Sequence, residues 1–227
     1  NESLNGWMDE GFASYADDRV LAFINNDTGF ASGGAYRSYF SLVKSGKEEP
    51  LTTHADHYNL NAAYSPAVYS KGEVFMEQLG YIVGAPVRDN ILLEYYKQWR
   101  FKHPNTTDFI RIAEKVSDMK LDWYKEYWIN STKTIDYSID SLWEENGMTN
   151  VRIKRNGLMP MPIDVQLTFK DGSKEMHYVP LDLMYGLKPI EDKTVARKVY
   201  EPWHWTSETY IISTQKKLFD FTFSWKF

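Results

Sequence analysis

The side chains in this sequence that could do chemistry fall in two short stretches. The first is Trp7-Met8-Asp9-Glu10-Gly11-Phe12-Ala13-Ser14-Tyr15, with adjacent carboxylates at Asp9 and Glu10. A carboxylate can ligate a cation. It is also ordinary helix-start chemistry, because negative charge suits the positive end of the helix dipole. The second is Ala63-Tyr64-Ser65-Pro66-Ala67-Val68-Tyr69-Ser70-Lys71-Gly72, with two phenols and a lysine. A phenol is a neutral hydrogen-bond donor at pH 7 and can stabilise an oxyanion where negative charge develops. The sequence has no Cys, so disulfides and thiol catalysis are excluded.

Each stretch needs an element to position it. After Glu10 the apolar residues Phe12, Tyr15, Ala16, Val20, Phe23 and Ile24 recur at roughly helical spacing, which predicts a buried amphipathic helix. In the second stretch, Ser65 before Pro66 reads as an N-cap with proline at the first helical position. A helix then runs through Val68, Phe75, Met76, Leu79 and Ile82 and stops at Gly84 before Pro86. That register makes Tyr64 and Tyr69 a hydrophobic staple, a packing role that competes with a chemical one.

The first stretch resembles the Trp-Leu-Asn-Glu-Gly-Phe-Ala-x-Tyr segment of M1-family zinc aminopeptidases, the gluzincin group, with Asp9 where that family has Asn. The second resembles the family's other signature, in which a Tyr precedes x-Lys-Gly near a helix start. The two occur in the family's order. The resemblance implies that Glu10 is the third zinc ligand and that Tyr69 stabilises the oxyanion of the tetrahedral intermediate. Tyr64 matches a neighbouring Tyr found in some members. It also implies that the His-Glu-x-x-His helix, with two His ligands and the catalytic Glu, lies upstream of Asn1. The chain then reads as the C-terminal part of a thermolysin-like catalytic domain, and Zn²⁺ as the cofactor of the intact parent, weakly held or absent in this piece.

Between the two stretches, residues 27–62 are loop-rich, punctuated by Gly29, Gly33, Gly34, Gly46 and Pro50, with a short helix expected around 36–43. His54 and His57 lie there with Asp56 between them. They lack the i, i+4 spacing of a helical zinc pair and read as loop histidines or, less simply, metal ligands.

Past Pro86, three helices are expected. One carries Val87, Ile91, Leu92, Tyr95, Tyr96 and Trp99 and ends near His103-Pro104. The next is capped by Thr106 or Thr107 and carries Phe109, Ile110, Ala113 and Val116. The third, near 121–129, holds Trp123, Tyr124, Tyr127 and Trp128, either as core or as a ligand platform. Near Thr132 the period changes to that of strands. Ile135–Ile139, Val151–Ile153, Ile163–Phe169, Met176–Tyr178, Tyr210–Ile212 and the alternating Phe219, Phe221, Phe223 and Trp225 all alternate, and Lys170-Asp171-Gly172-Ser173 is a hairpin turn. Short strands at this spacing predict an antiparallel β-sandwich over 132–227. Trp203-His204-Trp205 is its unusual feature, read as an interface cluster or as a carbohydrate or peptide contact. The fold class is therefore α+β with two domains, 1–131 helical and 132–227 β-sandwich.

Composition sets the outer bounds. At 43% hydrophobic and 16% aromatic residues, the 227-residue chain can bury a proper core and is not a disordered tail. A net charge of −5 gives no electrostatic reason to expect nucleic acid or anionic membrane as a partner. No apolar run approaches the about 18 residues that span a bilayer. The expected partners are peptide substrates and the missing N-terminal part of the same chain, and the compartment is left open. The reading is a piece of a zinc aminopeptidase, inactive alone. Two alternatives stay open, a non-catalytic peptidase-like scaffold and a β-sandwich interaction module. Epoxide hydrolase activity also occurs on the scaffold that the resemblance implies.

Overall fold

The computed structural model describes residues 2–169, 171–215, 217 and 221–226. The chain divides into two compact units, Asn1–Thr132 and Lys133–Phe227. The first is helical. Helix α1 is Gly6–Ile24, α2 is Gly33–Ser45, α3 is the short Asn61–Ser65, and α4 is Gly72–Val83, joined to α3 by a π-helical turn, Pro66–Lys71. Helices α5 (Ala85–Trp99), α6 (Thr106–Ser117) and α7 (Asp122–Ile129) follow. No helix among the described residues is long and apolar enough to cross a membrane.

Helix α4 is the hub. Ten of its twelve residues are buried, as expected of a helix that is apolar nearly all round and packed by neighbours on every side. Phe75 is fully buried. Its ring meets Trp7 of α1 edge-on at 5.0 Å, lies 6.2 Å from Phe109 of α6, and stacks on Tyr124 of α7 at 4.8 Å. The Tyr124 hydroxyl donates to the Phe75 carbonyl at 2.6 Å, so a buried polar tip is satisfied on the hub's own backbone. Trp123, Tyr124 and Trp128 are buried, which makes this aromatic run core and not a ligand platform.

Three local expectations are corrected. The helix bearing Tyr69 starts at Asn61, after the extended residue Leu60, and Ser65 already has helical angles (φ −61, ψ −49) with no capping bond, so Ser65 is not an N-cap. Pro66 sits inside the helix, where its missing N–H is absorbed by the widened i→i+5 turn. The cap of α6 is Asn105, neither threonine: its side chain accepts from the Asp108 N–H at 3.2 Å while the Asp108 carboxylate accepts from the Asn105 N–H at 3.0 Å. This reciprocal box satisfies two otherwise orphaned donors. Finally, only the first half of α1 is buried. Val20, Leu21, Phe23 and Ile24 are exposed, Phe23 to 84%.

A buried acidic group lies where α1, α2, α4 and α5 meet. The Ser32 hydroxyl donates to Glu77 at 3.0 Å, Arg88 pairs with Glu77 at 3.3 Å, and Tyr36 accepts from Gln78 at 2.7 Å. Glu73 is buried, and one of its carboxyl oxygens has no protein partner. Burial, reinforced by a hydrogen bond to the Asp18 carboxyl, pushes the Glu73 carboxyl up to about 7 from its ordinary 4.5. The folded state thus keeps a proton that the unfolded chain sheds. Stability from this group is full below about 4.5 and falls as pH rises through 7. Unfolding midpoints measured from pH 4.5 to 8 should therefore decline with pH, and Glu73→Gln should flatten that decline. An unchanged slope in Glu73→Gln would refute the assignment.

The second unit holds two sheets. Strands β1 (Tyr137–Glu145), β2 (Met148–Arg155) and β6 (Thr209–Thr214) form an antiparallel sheet in the order β1-β2-β6. Strands β5 (Ala196–Val199), β4 (Lys174–Val179), β3 (Ile163–Phe169) and β7 (Phe221–Lys226) form the other, in the order β5-β4-β3-β7. All pairs are antiparallel except β4 with β5, which run parallel. In the β3–β4 hairpin Gly172 takes φ +81, the positive value that Asp-Gly supplies cheaply. Lys170 and Phe219 of the expected turn and last strand lie outside the described residues. Val151, Ile153, Met161, Ile163, Leu167, Tyr178 and Ile212 line the interior. A buried Lys188–Asp164 ion pair lies in the same unit. Trp203 is core, its indole donating to the Ser207 carbonyl at 2.9 Å, whereas His204 and Trp205 are exposed.

Candidate functional site

The site is set by two helices meeting backbone to backbone. A Cβ placed on Gly11 would lie 2.6 Å from the Cα of Gly72 and 3.0 Å from the carbonyl of Val68. A Cβ on Gly72 would lie 2.8 Å from the Cα of Gly11 and 3.1 Å from the carbonyl of Trp7. Only glycine at both positions permits this crossing, because backbone cannot swing aside as a side chain can. The crossing fixes what stands beside it. Glu10 precedes Gly11 on α1, and Tyr69 lies three residues before Gly72.

Trp7 anchors the α1 side. It is fully buried and packs edge-on against Phe12 at 5.7 Å, and Phe12 in turn meets Phe109 at 4.9 Å. With this face pinned inward, Asp9 is exposed and Glu10 half-buried. On the other side, Ala67, Val68 and Lys71 of the π turn are buried and Tyr69 is 37% exposed. In an α-helix, residues five apart point roughly 140° away from each other. In an i→i+5 turn they return to nearly the same face. The wide turn, Pro66–Lys71, begins after Tyr64 and includes Tyr69. Tyr64 stands beside the start of α1, where a Cβ on Gly6 would lie 3.5 Å from its hydroxyl. Its ring packs edge-on against Tyr58 at 5.3 Å.

The Tyr69 phenol lies close enough to Glu10 for the carboxylate to act on it as a hydrogen-bond acceptor and as a negative charge. The acceptor, with desolvation and the nearby negative charge of Glu10, raises the Tyr69 pKa above its ordinary value. Tyr69 is therefore held as a neutral donor beside a carboxylate at any physiological pH. The pair can offer one anionic oxygen ligand and one O–H donor to the same small volume.

Glu10, Tyr69 and Tyr64 all flank this helix crossing. His54 and His57 have a different arrangement. Their rings are 4.9 Å apart, and His54 Nδ1 accepts from the Asp56 N–H at 3.1 Å, closing a one-turn 3₁₀ helix. Among the described residues no three His, Cys, Asp or Glu side chains gather so that they could hold a metal ion.

One group next to the site escaped sequence reasoning. Lys71 is fully buried, and its ammonium bonds Glu48 at 2.6 Å and the Ser131 carbonyl at 3.0 Å. The signal available was a lysine inside a run of otherwise buried positions. Its partner lies 23 residues back in a loop, beyond any local pattern.

Comparison with known proteins gives two curated relatives. The chain is 24% identical over 116 residues to a leukotriene A-4 hydrolase homolog of Botryotinia fuckeliana, covering 45% of this chain and 17% of that protein. It is 25% identical over 116 residues to leucine aminopeptidase 2 of Sclerotinia sclerotiorum, covering 45% of this chain and 18% of that protein. The match thus spans less than a fifth of either relative. The peptidase family M1 domain model matches residues 4–128, which takes in all seven helices but the last residue of α7 and includes both Glu10 and Tyr69. With more than half its length matched in this way, the chain belongs to peptidase family M1.

Proposed function

We propose that this chain is part of a zinc-dependent aminopeptidase that removes N-terminal residues from peptides, with Glu10 as one metal ligand and Tyr69 as the oxyanion donor. The observation that carries the reading is the placement of Glu10 and Tyr69 beside a glycine–glycine helix crossing, inside the span matched by the M1 domain. Bound zinc would polarise the scissile carbonyl and lower the pKa of its water. The remaining ligands and the general base are assigned to a segment outside these 227 residues. The exposed apolar residues Val20, Phe23 and Ile24 support such a segment packing on this unit.

The roles of the chain's own residues follow from their chemistry. Glu10 presents an anionic oxygen. Tyr69 keeps its proton and can donate it as a hydrogen bond to a developing negative oxygen, because the neighbouring carboxylate disfavours phenolate. Tyr64 borders the same volume and is assigned a supporting contact. Two domains are part of the reading, a thermolysin-like helical part over 1–131 and a β-sandwich over 132–227.

In the intact enzyme, Tyr69→Phe should lower kcat about 100-fold with little change in KM, as loss of one oxyanion donor does. Glu10→Ala should lose bound zinc by elemental analysis. Full zinc in Glu10→Ala would remove Glu10 from the ligand set. Unchanged kcat in Tyr69→Phe would remove Tyr69 from the reaction. The 227-residue chain alone should show no peptidase activity. Turnover by it that Tyr69→Phe abolishes would overturn that part of the reading.

A further inference from the structure

We propose that the buried Lys71–Glu48 ion pair is a positioning device that holds the π-helical turn open and so aims the Tyr69 hydroxyl at Glu10. The inference rests on the role given to Tyr69 above. Lys71 is the last residue of the turn, next to Gly72 at the helix crossing. Its ammonium is held on several sides: by Glu48 from the segment after α2 at 2.6 Å, by the Ser131 carbonyl after α7 at 3.0 Å, and by the Tyr39 ring of α2 at 5.9 Å. The side chains of Lys71 and Glu48 are 0% and 5% exposed.

Such a pair is a poor device for stability. Two charges lose their water on burial, and well-packed apolar residues of similar volume often do as well or better. What an ion pair adds is direction, since the ammonium has one place to sit. Lys71 is tied to Glu48 and Gly72 lies against Gly11, so the end of the wide turn is anchored at two adjacent residues. A further tie at Ser70, whose hydroxyl donates to that of Ser38 on α2 at 2.9 Å, holds the same side. Without the pair, the wide turn can tighten toward ordinary α geometry, which rotates Tyr69 away from Glu10.

The test uses the intact enzyme and a chromogenic aminoacyl anilide. Lys71→Met with Glu48→Leu replaces the pair by apolar groups. This double variant is compared with the parent in both the Tyr69 and the Tyr69→Phe backgrounds, and thermal unfolding is followed alongside. The expected result is an unfolding midpoint close to the parent's, kcat lower by 10- to 100-fold, KM within about twofold, and no further loss of kcat in the Tyr69→Phe background. If the double variant does not fold, Glu48→Gln, which keeps shape and an acceptor, carries the same comparison. Retained kcat, or an equal loss in both backgrounds, would overturn the positioning role alone. A parent indifferent to Tyr69→Phe would overturn the role of Tyr69 itself, and the positioning role with it.

Discussion

Phe75→Ala should remove about 4 kcal/mol from the unfolding free energy of the helical unit, the usual range for emptying a buried phenylalanine site being about 3–5 kcal/mol. Three features put it in the upper part of that range. The ring is fully buried. It is shared by α1, α6 and α7 through Trp7, Phe109 and Tyr124, so no single side chain can move in to fill the space. It also loses stacked and edge-on aromatic contacts worth more than their area alone. Denaturant unfolding of the 227-residue chain, read by tryptophan fluorescence, measures the cost. A loss under about 1 kcal/mol would mean that α4 is not the hub described above.

Gly11→Ala should cost about 3 kcal/mol, against the sign of its helix propensity. Alanine in a helix interior gains about 1 kcal/mol over glycine. Here its methyl carbon would lie 2.6 Å from one backbone atom of the facing helix and 2.8 Å from another, about an ångström inside contact distance. The helices must part, and parting them loosens Trp7 against Phe75 as well. Gly34→Ala is the internal control. It lies in α2 with nothing within 4 Å of an added Cβ and should be neutral or mildly stabilising. Equal behaviour of the two variants would remove the backbone contact as the reason for glycine at position 11. Loss of peptidase activity in the intact enzyme should accompany Gly11→Ala, because the crossing also sets the distance between Glu10 and Tyr69.

Much of this was legible in the sequence, and the exceptions have physical causes. The two proposed site residues, Glu10 and Tyr69, sit in two short strings with distinctive neighbours. Their approach to each other is not legible there, since a glycine–glycine crossing leaves no periodic trace. The change from helix to strand period near Thr132 agrees with the observed order of elements, because alternation of buried and exposed positions survives in β2, whose residues Thr149, Val151 and Ile153 are buried. Ser65-Pro66 misled because proline at a helix start and proline at a π turn present the same dipeptide. Asn105, Thr106 and Thr107 are adjacent capping types, and only the Asn105-to-Asp108 spacing, that of a reciprocal box, separates them. Asn146-Gly147 joins β1 to β2 with both residues at positive φ, 51 and 75, and its dipeptide is a strong hairpin signal. Val20, Phe23 and Ile24 follow a helical period yet face solvent. Periodicity marks the face of a helix that wants cover and says nothing of what covers it.

The glycine crossing has a mechanical consequence. Helix α1 runs from Gly6 to Ile24, and its contact with the facing helix backbone is at Gly11. The stretch from there to Ile24, exposed from Arg19 onward at most positions, is about 20 Å long at 1.5 Å per residue. If α1 rocks about that contact by about 5°, the tip at Ile24 swings by nearly 2 Å, while the backbone of Glu10, one residue from the fulcrum, moves by little more than about 0.1 Å. The carboxylate is placed where leverage is least. The far end of the helix can be gripped by another surface, with only a small part of that motion reaching Glu10.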